Sequence, residues 1–409
     1  MFPIFKLYHS AFSNLQRNAW LLSIASFINR SGSMVLLFTS LYLTKKLHFT
    51  ISQAGLMMSF YGIGSVLGSY AGGWLTDRKS FFDIMILSLI ISNLILLLML
   101  VVTSQFLICT VIFCYAFTAD SFRPANSSAI AAYSTPANRA RSVSLMRLAV
   151  NLGFSFGPAI GGVVALHLGY KWLFVIDSFT GFFAAAMLYF YLPRKKSEVN
   201  RHDNPVLKDS STSAYRDFNY LTFIFLVSLY GICFFQLFAS IPQYFNRICN
   251  FDEGTIGLLL ALNGFLVVII EMPLIASLEK KQKIFPFIII GTLLIPVAFF
   301  ILMNGGGIIA WAILYTLIIT LSEIFAMPFM MNYALSQPLK ERQGQYTALY
   351  SISYGIANIV APSLGLGIAG KYGFDRMFYF FIALSILAAA GFSLLNKKSI
   401  NKFSSAQTS

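Results

Sequence analysis

The sequence predicts an all-α membrane protein of twelve spanning helices arranged as two six-helix pseudo-repeats. Three observations carry this. Hydrophobic residues make up 57% of the 409 and charged residues only 11%. Apolar stretches long enough to cross a bilayer recur twelve times, and the second half of the chain repeats landmarks of the first. A globular protein carries about a quarter charged residues, and a soluble core cannot absorb this much apolar surface, so the solvent must be lipid.

Each predicted span is roughly 20 residues of mainly apolar sequence. The first, 19–43, contains Asn29 and Arg30; the second, 53–75, carries Gly64, Gly68 and Gly72 in a four-residue ladder. The third is 82–103, and the fourth, 105–132, holds Asp120, Arg123 and Pro124. The fifth, 143–166, is glycine-rich, and the sixth, 171–192, contains Asp177. The polar stretch 193–218 then divides the spans six and six. The seventh, 219–242, includes Gln236, and the eighth, 255–278, carries Glu271 ahead of Met272-Pro273. The ninth is 284–303; the tenth, 307–333, holds Glu323 and Pro328; the eleventh and twelfth are 345–369 and 375–395. This division predicts an N-terminal bundle over 1–192, a cytoplasmic linker over 193–218, and a C-terminal bundle with a short tail over 219–409.

A net charge of +14 invites a nucleic-acid reading, but its distribution argues otherwise. With the N-terminus inside, the cytoplasmic segments hold twenty Lys and Arg and the exterior loops six. The opposite orientation would invert that ratio, so both termini are expected in the cytoplasm and no nucleic-acid partner is expected. The first apolar run is too long for a cleavable signal peptide and lacks a small-residue cleavage site. The four cysteines, Cys109, Cys114, Cys233 and Cys249, form neither a disulfide framework nor a metal spacing.

The two halves echo each other. Pro136, Gly153, Pro158 and Gly169 recur as Pro338, Gly355, Pro362 and Gly373 with one two-residue insertion, and each half ends in a basic pair, Lys195-Lys196 and Lys397-Lys398. Two six-helix bundles related by an axis along the membrane normal are a known transporter arrangement.

The run Gly153-Phe-Ser-Phe-Gly157-Pro158-Ala-Ile-Gly161-Gly162 sets glycines at i, i+4 and i+8, a stripe without side chains that lets a neighbouring helix approach closely. Pro158 removes one backbone hydrogen bond beside it. This run resembles the fifth-helix signature of proton-coupled antiporters of the major facilitator superfamily, in the twelve-span drug–proton branch, and it falls in the fifth span here too. The resemblance implies the major facilitator fold, with alternating access by rocking of the two halves. It further implies a transporter and not an enzyme, working as a monomer in a bacterial cytoplasmic (inner) membrane. Its partners would be protons, membrane lipid and a small-molecule substrate, with no cofactor.

A second motif, Gly73-Trp-Leu-Thr-Asp77-Arg78-Lys79, resembles the superfamily's loop signature, in which the aspartate faces a helix N-terminus and steadies the outward-facing state. A carboxylate there gains about 0.3–1 kcal/mol from the helix dipole. Ser80, Phe81 and Phe82 depart from the signature, and Leu278-Glu279-Lys280-Lys281 is a degraded repeat copy. Arg123 falls where the family carries a fourth-helix arginine implicated in proton transfer.

A charge at a helix centre costs about 2.5–3.5 kcal/mol on insertion scales. Arg30, Asp120, Arg123, Glu271 and Glu323 all map to span interiors, so pairing, water or a function needing protonation must compensate. Asp120 and Arg123, at i and i+3, share one face. Glu323 occupies nearly the depth of Asp120 in the repeat-related tenth span, and a proline follows each acid. Asp120, Glu323 and Glu271 are therefore the candidate proton-coupling acids, Glu271 also being placed to brace an inner gate. Arg30, Arg123, Asn29 and Gln236 are candidates for charge tuning or the substrate cavity. The alternative is a fixed salt-bridge cluster that joins the first and fourth spans. Asp177, two turns below the exterior surface, reads as a structural cap.

Two apparent enzyme motifs fail on context. Gly153-Phe-Ser155-Phe-Gly157 matches a nucleophile elbow but lies inside one apolar helix instead of a strand–turn–helix. Gly365 to Lys371 resembles a phosphate loop, yet Tyr372 stands where Ser or Thr must bind magnesium. With 41 phenylalanines, aromatic walls would suit amphipathic or cationic compounds. Proton-coupled efflux of such compounds, as in multidrug resistance, is the leading reading. A proton-coupled symporter for a peptide, sugar or metabolite and a non-transporting membrane sensor on the same fold are the alternatives.

Overall fold

The computed structural model describes residues 15–32, 34–135, 138–195, 214–278, 284–336 and 343–407. Pro136, Pro338, Lys196, Glu279, Lys280, Lys281 and most of the 193–218 stretch lie outside these residues.

The described chain is helical, without strands, and its helices follow the predicted spans closely. Span one is α1 (Arg17–Gly32) and α2 (Val35–Lys45); span two is α3 (Ile51–Arg78) and span three α4 (Phe81–Leu97). Span four is α5 (Gln105–Asp120) and α6 (Phe122–Ala132), followed by α7 (Arg139–His167) and α8 (Tyr170–Tyr191) as spans five and six. Span seven is cut into α9 (Phe218–Phe234), α10 (Gln236–Ala239) and α11 (Ile241–Arg247). Spans eight to twelve are α12 (Glu253–Leu278), α13 (Ile284–Asn304), α14 (Ile309–Leu335), α15 (Gln343–Tyr372) and α16 (Phe374–Gln407). Among the described residues, eleven stretches are long and apolar enough by composition to cross a membrane. The twelfth, α3, has 28 residues, enough for about 42 Å of helix. Its six glycines and several hydroxyl residues dilute its apolarity without shortening it.

The chain condenses into two compact units. One takes residues 1–42, 60–202 and 252–268, the other 43–59, 203–251 and 269–409. Helices α3 and α12 therefore each contribute to both.

In the first unit glycine sets the packing. A Cβ on Gly153 would stand 2.6 Å from the Arg30 Cβ, one on Gly157 3.3 Å from the Arg30 carbonyl, and one on Gly161 2.6 Å from the Met34 Cβ. The stripe of α7 thus seats span one. The next glycine turns the other way: Gly162 meets the Glu253 carbonyl and Gly257, while Gly257 meets the Pro158 carbonyl. Both helices of that contact lack side chains at the crossing. On α3, Gly64, Gly68 and Gly72 lie against the backbone of Phe113, Phe117 and Ser121 in span four. Beneath these crossings Leu22, Phe82, Met85, Leu89, Phe122, Ala129 and Leu188 form a buried apolar cluster.

The second unit is packed by aromatic rings. Tyr220 and Tyr346 have ring centroids 4.5 Å apart, and Phe223 and Tyr333 4.4 Å. Phe245, Phe299, Tyr315, Phe378 and Phe381 are fully buried. The start of α3 belongs here: Ser59 donates to the Ile359 carbonyl at 2.6 Å, and a Cβ on Gly55 would stand 2.6 Å from the Pro362 carbonyl.

Three spans are divided between helices, and in two of them a proline marks the division. In span four Pro124 has no N–H to give the Asp120 carbonyl, and the helix opens at Ser121. The Ser69 hydroxyl faces that carbonyl at 3.5 Å, and Ser121 Oγ bonds the Gly68 and Phe117 carbonyls at 2.9 and 2.8 Å. In span seven Pro242 opens the last short helix. Span one is divided into α1, which ends at Gly32, and α2, which starts at Val35, and α8 lies against Gly32: a Cβ there would stand 3.0 Å from the Thr180 Cβ and 3.2 Å from the Asp177 Oδ1.

Candidate functional site

The break in span four places Asp120 as the last residue of α5, in the span's interior and 1% exposed. Its Oδ1 accepts a hydrogen bond from Arg123 Nε at 2.7 Å and faces the Arg30 guanidinium at 3.9 Å. Its Oδ2 is buried with no hydrogen-bond partner among the described residues. A buried carboxylate oxygen without a hydrogen-bond partner is costly.

The two arginines differ. Arg123 is 53% exposed and Arg30 14%. Arg30 therefore depends more on its protein surroundings than Arg123 does. It lies over the Phe154 ring at 5.4 Å and within electrostatic reach of Tyr61 and Tyr115. The structure thus brings together Asp120, Arg123 and Arg30, with Asn29 partly buried beside Arg30.

The acids of the second unit have a different setting. Glu323 is partly buried on α14, and its charge reaches Tyr230 and Tyr354. The Tyr350 hydroxyl lies 3.3 Å from both Tyr354 Oη and the Met327 carbonyl, with its one proton available to either, and Ser322 ties Tyr230 to the Gly291 carbonyl. Glu271, partly buried on α12, has an interaction partner of its own. These tyrosines were not among the expected site residues. Their signal was a hydroxyl-bearing ring inside an apolar span, which Phe-rich sequence conceals.

Gln236 belongs to the second unit. It is fully buried at the break in span seven, where its Nε2 bonds the Ile232 and Ala361 carbonyls at 3.0 Å and Ser240 donates to its Oε1 at 2.6 Å. Its amide bridges the break to α15. Gly73, Asp77 and Arg78 end α3; Asp77 and Arg78 are exposed, and Arg78 stacks over the Trp74 ring at 4.0 Å. The span-five set, Gly153, Gly157, Pro158, Gly161 and Gly162, is occupied by packing against span one and α12, as described above.

The description of the Major Facilitator Superfamily matches residues 20–362. The chain belongs to the Major Facilitator Superfamily. Its curated relatives include an uncharacterised MFS-type transporter, YqjV of Bacillus subtilis, 22% identical over 395 residues and covering 92% of both chains. Multidrug resistance protein 2 of the same organism is 23% identical over 333 residues, covering 78% of this chain and 81% of that one. Among solved structures, a POT family transporter in complex with 5-aminolevulinic acid superposes with a TM-score of 0.80 over 95% of this chain and 97% of the other, at 14% identity. The facilitator fold is common to all of them, and this protein is an integral multi-pass membrane transporter of small molecules.

Proposed function

We propose that this facilitator exports small amphipathic or drug-like compounds in exchange for protons, by alternating access, from a bacterial inner membrane with both termini in the cytoplasm. The observation that carries the reading is Asp120. It is a buried acid with one oxygen held between two arginines and the other unpartnered, at a break in a spanning helix. Such a carboxyl has a reason to take up a proton when the membrane's outer side supplies one and to release it inside. Glu323, set among tyrosines, suits either a second proton or the positive end of a cationic compound, since rings and carboxylate both favour a cation. The span-five motif and the likeness to a multidrug resistance protein support efflux over uptake.

Reconstituted protein in vesicles with an imposed pH gradient tests this, with ethidium as the amphipathic cation and a dipeptide as the polar probe. Ethidium movement against the proton flow is the expected result. Dipeptide movement with the proton flow would replace the reading by symport, and no gradient-dependent flux of either probe would overturn it.

A further inference from the structure

A second buried acid in the first unit has the features of a proton site and has so far been described only where it crosses span one. Asp177 is 3% exposed, on α8, seven residues from the start of that helix. Its carboxylate accepts the backbone N–H of Val35, the first residue of α2, so it caps the helix that restarts after the break in span one. Its Oδ2 is buried with no hydrogen-bond partner among the described residues.

Gly32 has no side chain where a Cβ would stand 3.2 Å from the Asp177 Oδ1, and the Thr180 hydroxyl, which could have satisfied a carboxylate, donates to the Asp177 carbonyl instead at 2.8 Å. Arg30 from span one is within electrostatic reach of Asp177, as are Tyr61 from span two and Tyr115 from span four, while Asp120 and Arg123 reach Asp177 only through these shared neighbours. The third span contributes the neutral Asn93, whose carbonyl accepts from Ser178.

We propose that Asp177 is a second proton-binding carboxyl, linked to Asp120 through Arg30 and built into the break in span one. The proton adds to Oδ2, while Oδ1 keeps the Val35 N–H, so the cap survives protonation and only the charge is lost. With both acids ionised, Arg30 is divided between two carboxylates. Its 3.9 Å separation from Asp120 lies at the outer limit of an ion pair. Once Asp177 is neutral, Arg30 has a single carboxylate to answer and moves toward Asp120. A proton arriving at Asp177 thereby changes the charge balance at Asp120 through their shared neighbour Arg30.

This extends the proton-coupled reading of the first unit, and it is tested without transport so that the two fail separately. Protein carrying carboxyl-labelled 13C-aspartate is reconstituted in lipid vesicles and titrated by infrared difference spectroscopy between about pH 4 and 9. The expected result is an isotope-shifted carbonyl stretch of a protonated aspartic acid that vanishes in Asp177→Asn and persists in Asp120→Asn. In Asp177→Glu the band remains but loses its isotope shift, which covers the case in which the asparagine variant does not fold. A titrating aspartic acid band that Asp177→Asn and Asp177→Glu leave unchanged would overturn the proposal. So would the lack of any such band beyond that of Asp120 in the wild type.

Discussion

Asp120 carries two guanidinium groups on one oxygen, and their unequal exposure decides what its removal does. Asp120→Asn keeps the shape and a hydrogen-bond acceptor for Arg123, whose side chain is the more exposed of the two. Arg30, nearly buried, loses one of its two carboxylate neighbours, and breaking a buried ion pair on one side costs up to about 3 kcal/mol. Asp120→Asn is therefore expected to lower the melting temperature in detergent. Adding Arg30→Gln should restore part of the loss, because the second change removes the partly uncompensated charge. A double variant less stable than Asp120→Asn alone would show that Arg30 is held by something other than this acid. The spacing of Asp120 and Arg123 made their pairing legible in sequence, since i and i+3 share a face in any helix. The approach of Arg30, about ninety positions away, was not legible, because only the packed spans bring it there. The bonds of Gln236 were not legible either: its amide joins the Ile232 carbonyl of its own span to the Ala361 carbonyl of α15, a contact that only packing brings about.

At the scale of the helix, the crossing of α7 and α12 has no room on either side. A methyl at Gly162 would run into the Glu253 carbonyl and stand 3.0 Å from the Gly257 Cα, which is backbone and cannot swing aside. Gly162→Ala should destabilise the protein by about 1–3 kcal/mol, the range for overpacking, and lower transport activity. Gly367→Ala is the control: nothing lies within 4 Å of its Cβ position, and alanine is the better helix former by about 1 kcal/mol. It should be neutral or stabilising in the same thermal-melt assay. Equal losses in both variants would remove close approach as the cause.

The start of α12 makes a second test at this scale. Asp252 caps it, accepting the Thr255 N–H at 2.7 Å, and these hydrogen bonds hold the Asp252 carboxyl below the usual carboxylate range. A folded-state pKa below the unfolded one means the stabilisation is present above about pH 4 and is lost as pH falls through the folded value. The protection factors of the amides in the first turn of α12, taken against the intrinsic exchange rate at each pH, should therefore fall as the protein is acidified below about pH 4. Asp252→Ala should show fast exchange already at neutral pH, with a cost near 1 kcal/mol. Exchange that is identical in both across the titration would show that the cap does not hold this helix end.

For the whole molecule the open quantity is orientation. The proposed orientation, argued from the distribution of Lys and Arg, has both termini in the cytoplasm. Cys249, in the loop after span seven, then faces outward, while Cys109 and Cys233 are buried. A membrane-impermeant maleimide should label intact cells at Cys249 and fail with Cys249→Ser. Burial pushes the Cys249 thiol up, so labelling should quicken as pH is raised toward its titration. Labelling that appears only after permeabilisation would reverse the assigned orientation.

The amino-acid order by itself determined the number of spans, the helical class, the glycine faces and the adjacency of Asp120 and Arg123. All of these depend on local periodicity and on an apolar length matched to the bilayer. Tertiary structure alone decided that Arg30 reaches Asp120 and faces Asp177, that Gly161 and Gly162 serve different neighbours, and that α8 lies against Gly32. Those outcomes depend on which helix faces come into contact, and a one-dimensional pattern of apolar residues carries little information about that when nearly every face is apolar.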